Sequence, residues 1–417
     1  MNRKVLLIEP NYKNKYPPMG LMKLATYYRM VGDDVRFYKG DMRSLAVDLI
    51  CEDLINHLSV VFPDVFWKDY YPTLFAFIKL GKYAILENDE IFADDLVLDV
   101  VKEYRKKYKD KEYFAKPRFD KVGITTLFTF YWDVTIDTIN FAKQLCKNEA
   151  DVMVGGIMSS ILPDEVYEAT GIHPFVGLLN HPGDIDAGNK LIIDELPLDY
   201  SILEEIDYVY PANNAYFAYM TRGCVNRCIF CAVPKLEPQY CDYINLKQRI
   251  EHTDKRFGAR KDLLLLDNNV LASNCYDQII DEIKECGFGV DATYTPPNEY
   301  EVTINNLRDS YNDRAYIRKA ISIYKEIIDK LKDTVEKTEL YMRLEQAHCL
   351  NYYSASKERI LELDEYVRAL YEKTHKPTKR KRIVDFNQGI DSRLITPANM
   401  KKLAEVSICV LHLIIGN

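Results

Sequence analysis

Short apolar runs separated by helical patterns occur in two successive series along this chain, and that alternation restricts the fold more than any other feature. In the first series, 4–9 (KVLLIE), 34–38 (DVRFY), 122–127 and 152–154 read as strands. Helical patterns occupy 21–30, 44–60, 64–80, 90–108, 133–146 and 163–169. Strands alternating with helices in this way predict a parallel sheet, whose neighbours must be joined by right-handed crossovers. The expectation for 1–181 is a doubly wound α/β domain. In the second series, 216–221, 263–266 and 383–386 read as strands and 246–257, 276–286 and 397–405 as helices. A fourth strand candidate, 406–415, closes this second unit, 214–417. Residues 182–213, rich in Pro, Asp and Asn, read as a connector lying against both domains.

The second series is interrupted at about 298–380 by charged helical patterns that end in KPTKRKR. One reading is a helical hairpin inserted in a loop, with 379–382 as solvated surface. The other is a lid or partner-docking arm, because insertions into strand-to-helix loops reach the functional face of a barrel.

Composition removes several classes of function. A chain of 417 residues is too long for one ordinary core, and 47% hydrophobic with 28% charged residues describes a globular protein. The net charge of -8 argues against a general nucleic-acid coat. No apolar run approaches the roughly 18 residues needed to cross a bilayer, so no membrane partner is expected. The opening MNRKVLLIEPNYKN runs straight into a strand pattern, with no cleavage site of the secretory kind. Ten cysteines without such a signal read as reduced cytoplasmic thiols. Cys51, Cys146, Cys286 and Cys349 lie in helix-like stretches, where a thiol behaves as a small hydrophobe.

One group of cysteines is different. The segment AYFAYMTRGCVNRCIFCAVPKLEP places Cys224, Cys228 and Cys231 in a loop directly after a predicted strand. Thiolates at this spacing bind three irons of a cubane cluster and leave the fourth iron without a protein ligand. Structural zinc is the alternative, but it wants four ligands, usually in paired clusters. The one nearby fourth candidate is Cys241; no histidine is close and no second Cys-x2-Cys pair follows.

This Cys-x3-Cys-x2-Cys loop, with the aromatic Phe230 just before its last cysteine, resembles that of the radical S-adenosylmethionine superfamily. The resemblance implies a [4Fe-4S] cluster on Cys224, Cys228 and Cys231, and S-adenosyl-L-methionine chelating the open iron with Phe230 near its adenine. Reductive cleavage would then generate a radical that abstracts hydrogen from an unknown substrate, a small molecule, a peptide or RNA. An electron donor such as flavodoxin or ferredoxin is implied as partner. By the same resemblance, the polar end of the second strand (Asp267, Asn268, Asn269) touches the cofactor's amino group; capping of the next helix is the bland alternative. In IVDFNQGIDSRLIT, the residues Asp385, Asn387, Gln388, Asp391 and Arg393 crowd an apolar strand and suggest a pocket. There Arg393 suits the cofactor's carboxylate, unless it forms an internal pair with an aspartate. A barrel of this superfamily needs more strands than are read here, so a partial (β/α) barrel with a helical insertion, from a truncated chain, is expected.

The first domain resembles the cobalamin-binding-like, Rossmann-like domain fused to many such enzymes. Pro17, Pro18 and Gly20 match its helix-opening turn, and Gly155 and Gly156 match its ligand-facing loop. The Asp-x-His-x-x-Gly cobalt-ligand motif is absent, for His57 sits in DLINHLSV. The resemblance therefore raises cobalamin as a cofactor without establishing it. A methyl- or methylthio-transferase of the same superfamily is the second enzymatic expectation. The non-catalytic one is a zinc- or cluster-stabilised binding module whose basic arm contacts nucleic acid.

Overall fold

A computed structural model describes residues 2–229, 231–332, 334–349, 354–388, 390–408 and 413–414. Phe230 and half of the expected strand 406–415 (409–412 and 415) lie outside these residues. The chain is a mixed α/β protein with parallel sheets.

β1 (Lys4–Glu9), β2 (Asp34–Lys39), β3 (Lys121–Thr126) and β4 (Val152–Gly156) form one parallel sheet in the order β2-β1-β3-β4. Side chains alternate across β1. Leu6 and Ile8 enter a core built with the helices Met42–Val61, Tyr71–Leu80, Asp95–Lys109 and Trp132–Ala142. Val5 and Leu7 face the helix Met19–Met30 and the connector residues Ile193, Leu198, Tyr200 and Ile202. Burial on both faces explains why β1 is a continuous apolar run. The helical pattern at 64–80 divides into a 3-10 turn, Trp67–Tyr70, and the helix Tyr71–Leu80, because Pro72 belongs in a first helical turn.

β5 (Ala215–Ala218) and β6 (Asp262–Leu265) begin the second parallel sheet. β7 (Thr293–Tyr294) and β8 (Arg380–Lys381) form an antiparallel clasp, after which β9 (Val384–Phe386) joins β6. β10 (Ile390–Asp391) pairs with β11 (Leu413–Ile414), and Ile408 bridges to Val384. Tyr216, Ala218, Leu263, Leu265, Val384 and Phe386 pack against the helix Tyr276–Ile283 and Leu403. On the opposite face, Ala215, Phe217 and Leu264 share one core with the helix Met19–Met30 and the connector. Each large apolar side chain buried there contributes about 1.5–3 kcal/mol. The connector is thus a layer of the core, locking the two sheets together.

The insertion is more than a hairpin. Its helices Glu299–Arg308, Asp313–Asp329, Thr334–Cys349 and Ser354–Thr374 enclose a core of their own, including Tyr300, Tyr324 and Val367. It leaves through the β7–β8 clasp and feeds the start of β9, so it occupies a helix-to-strand connection. The cysteine loop follows the far end of parallel β5. The insertion docks on the connector and on the start of β2: Asn312 Nδ2 donates to Ser201 Oγ and Glu205 Oε1, both at 2.8 Å. The lid reading fails on this placement, because only strand-to-helix loops open onto the cysteine end. The basic run is also not wholly solvated, since Arg382 lies 4.4 Å from the Phe288 ring centroid and bonds the Arg260 carbonyl at 2.9 Å. Among the described residues, no helix is long and apolar enough to cross a membrane.

Candidate functional site

The cysteine loop is built on a carboxylate staple. One oxygen of Asp267, just past β6, accepts from Met220 N (2.9 Å), Thr221 N and Thr221 Oγ1 (2.7 Å), just past β5. Asp267 is 3% exposed, and burial pushes its carboxyl up to about 6. Its second oxygen is buried without a partner. Beyond the staple, Gly223 takes φ +67°, and a Cβ there would meet the Gln239 carbonyl oxygen at 2.5 Å, so only glycine fits. Reciprocal backbone bonds between Arg222 and Cys241 (3.0 and 2.9 Å) close residues 222–241 into a lobe.

Cys224, Cys228 and Cys231 are half-buried in this lobe, all as free thiols. The Cys231 N–H donates to the Cys228 carbonyl (3.0 Å), and the Asn226 N–H donates to Cys224 Sγ (3.4 Å). Burial pushes the Cys224 thiol up, as do the neighbouring Cys231 and Cys228, while bonds from Asn226 and the Asn269 amide oppose the rise. The thiols are within electrostatic reach of one another. Among the described residues, however, no three His, Cys, Asp or Glu side chains are gathered as a metal would hold them. Cys241 is exposed and its Sγ bonds the Tyr243 carbonyl at 3.4 Å.

The other expected residues fall into separate environments. Asn268 Nδ2 donates to Glu237 Oε2 (3.0 Å) and the Gly223 carbonyl (3.4 Å). Asn269 Nδ2 donates to Asp391 Oδ2 (3.5 Å), while its own carbonyl oxygen is buried and unpartnered. Arg393 grips Asp391 with two bonds, Nε to Oδ1 (2.8 Å) and Nη2 to Oδ2 (2.6 Å). It therefore forms the internal pair of the two alternatives, and it holds the Asp391 carboxyl down at about 2. Asn387 accepts from Tyr16 of the first half, and Asp385 Oδ1 is buried without a partner.

A cavity of about 500 Å³ lies between the two halves, within the range of small-molecule sites. The first half contributes Gly20, Lys23, Gly155 and Gly156, and the connector contributes Asp194. Tyr219, Arg222, Glu237, Asn268 and Gln388 line the opposite wall. The carboxyl ends of both sheets thus face one space, the place where open α/β sheets bind ligands. Gly156 has φ +114°, and a Cβ would lie 2.3 Å from the Thr126 carbonyl oxygen, so the second glycine is a steric requirement. Among the described residues, no histidine lines the cavity; His57 packs beside Tyr104, 5.7 Å between ring centroids, on the helix Met42–Val61.

A chain of charges crosses the cavity wall. Lys23 Nζ pairs with Asp194 Oδ1 (2.7 Å), which also holds Arg222 Nη2 (2.6 Å). Arg222 in turn pairs with Glu237, whose other oxygen accepts the Gly223 N–H at 2.8 Å. Arg222 stacks 3.9 Å over the Tyr219 ring. Burial pushes Lys23 down to about 8 against the pull of Asp194. Sequence reasoning missed all four charged residues. Arg222 and Glu237 stood in the cysteine segment and were readable as its supports; Lys23 and Asp194 carried no local signal.

No protein-family model matches the chain, and no curated protein is similar to it. A solved structure of the radical S-adenosylmethionine methyltransferase TsrM from Kitasatospora setae, with cobalamin and a [4Fe-4S] cluster bound, aligns with 98% of this chain and 74% of that chain. The identity is 13% and the TM-score 0.36. The same enzyme with tryptophan substrate and a SAM analog bound aligns over 97% and 72%, at 13% identity and a TM-score of 0.35.

Proposed function

We propose that this chain is a radical S-adenosylmethionine enzyme acting on a substrate yet to be identified. It would combine a Rossmann-like cobalamin-binding-like domain (1–181) and a connector (182–213) with a partial (β/α) barrel (214–417). The observation that carries the reading is the cysteine lobe. Three free thiols at cluster spacing sit on a glycine-hinged loop at the carboxyl end of a parallel strand, beside a cavity between the two sheets. The donor set fits: three soft sulfur ligands on one loop suit an iron–sulfur cubane with one open iron.

Cys224, Cys228 and Cys231 would hold a [4Fe-4S] cluster, which when bound would supply one-electron reduction chemistry toward S-adenosylmethionine. The chain's own residues bind and orient. Asp267 Oδ2 and the Asn269 carbonyl are buried acceptors without donors, flanking the cavity-lining Asn268, and a ligand donor that reached either would satisfy it. Asn268 and Gln388 line the cavity, and Glu237 holds Gly223 and Arg222 so that the loop keeps its place. A flavodoxin or ferredoxin is the proposed electron donor, and the free thiols suit the reducing cytoplasm.

The cavity beneath Gly155 and Gly156 favours one second reading, cobalamin-dependent methyl transfer. A corrinoid there would receive no imidazole from the described residues that line the cavity. Anaerobic reconstitution followed by reduction with S-adenosylmethionine is the deciding experiment for both. Iron, sulfide and 5′-deoxyadenosine are expected, and co-purified corrinoid absorbance would select the second reading. Zinc without iron would end both and favour a binding module.

A further inference from the structure

Three distant segments meet on one carboxylate. Asp391 Oδ2 accepts from Asn226 Nδ2 (3.1 Å), inside the cysteine loop, and from Asn269 Nδ2 (3.5 Å), beyond β6. Both asparagines also serve Cys224, one through its backbone N–H at 3.4 Å and the other through its side-chain amide. Asp391 is 5% exposed, and its remaining bonding capacity goes to the two-pronged grip of Arg393. That guanidinium lies within electrostatic reach of Cys228 and Cys224. A single ion pair therefore stands beside the thiols and orients the groups that donate to one of them.

We infer that Asp391 and Arg393 are a positioning pair for the cysteine site: Asp391 aims the Asn226 and Asn269 donors at Cys224, and the two opposite charges balance beside the metal-binding loop. The inference rests on the reading of the cysteines as cluster ligands. Hydrogen bonds to sulfur and local net charge set the potential of an iron–sulfur centre. Asp391→Asn keeps one oxygen, which turned to the Oδ2 side still accepts from both asparagines but gives up the Oδ1 cap on the Arg393 N–H. It leaves the Arg393 charge unbalanced, which favours the reduced, more negative cluster. Arg393→Gln leaves the carboxylate unbalanced and favours the oxidised one.

The test is a redox titration of reconstituted protein followed by electron paramagnetic resonance. The midpoint is expected to rise in Asp391→Asn, fall in Arg393→Gln and return near the parent value in the double variant. A pair that merely holds the fold would shift both single variants in one direction, or neither, and that result would overturn the inference. In iron-free protein, Asp391→Ala is expected to speed amide hydrogen exchange across 222–231, with Arg393→Gln leaving it unchanged. Unaltered exchange in Asp391→Ala would also count against it. A parent chain that takes up no iron overturns the cluster reading, and this inference falls with it.

Discussion

The two ends of the molecule are held by buried charges in different ways. At the insertion end, Asp199 accepts from Ser201 N (2.9 Å), Ser201 Oγ (2.6 Å) and Arg29 Nε (2.9 Å). Glu205 accepts from Arg29 (3.2 Å), Asn312 (2.8 Å) and the Phe37 N–H (2.9 Å). Both oxygens of each of these two carboxylates have donors, while the nearby Arg260 Nε and Arg382 Nε are buried donors without an acceptor. At the cysteine end, Asp267 and Asn269 each keep one buried acceptor without a donor, on either side of the cavity-lining Asn268, with Asn269 beside Cys224. A saturated network rigidifies; an unsaturated one costs stability and is retained where a ligand completes it. The contrast separates the brace from the site.

The largest effect that would break this division concerns the thiols. Cys224→Ala, Cys228→Ala or Cys231→Ala should abolish iron binding on reconstitution while leaving the thermal midpoint near that of the parent. Cys241→Ala should bind iron as the parent does. Next in size, Glu205→Ala removes one of the two carboxylates on Arg29 together with the acceptor of Asn312 and of the Phe37 N–H. Breaking a buried pair from one side costs about 3–5 kcal/mol, readable by denaturant titration. The folded fraction should still take up iron; coupled loss of iron and stability would show that the ends are not independent.

Asp267 sharpens the comparison through pH. Its folded carboxyl titrates at about 6 against an ordinary value of 3.8, so the folded state holds the proton more tightly. The stabilisation from this group is full below pH 3.8 and is lost as pH rises to about 6. At roughly 1.4 kcal/mol per pKa unit, the loss is at most about 3 kcal/mol. Asp267→Asn should flatten that window in a stability–pH profile, and an unchanged profile would contradict the assignment. The smallest expected effect is Arg393→Gln. Its side chain is 45% exposed, so solvent screens the pair and the denaturant midpoint should stay near that of the parent.

Much of this was legible in the chain of letters. Strand 4–9 is observed as Lys4–Glu9, and the helix read at 44–60 is Met42–Val61. Gly155-Gly156 was read as a loop facing a ligand, and both glycines line the cavity. Less legible were the two-residue clasp β7–β8 and the strand β10, which are too short to show a period. The insertion's length and helicity were plain, but its side of the sheet depended on whether it preceded or followed a strand. Arg393 carried a fork that suits any carboxylate; whether that is a ligand's or that of Asp391 is decided by which loop folds beside it.

Sequence alone determined the parallel sheets, the cysteine spacing and the glycines, because strand and helix periods and φ limits are set within a few residues. Tertiary structure alone decided that Lys23 meets Asp194 across 171 positions and that Asn226 meets Asp391 across 165. It also set which acceptors stay unpaired. Those choices come from layers packing across a shared core, and no local pattern encodes the partner a charge will find once the layers close.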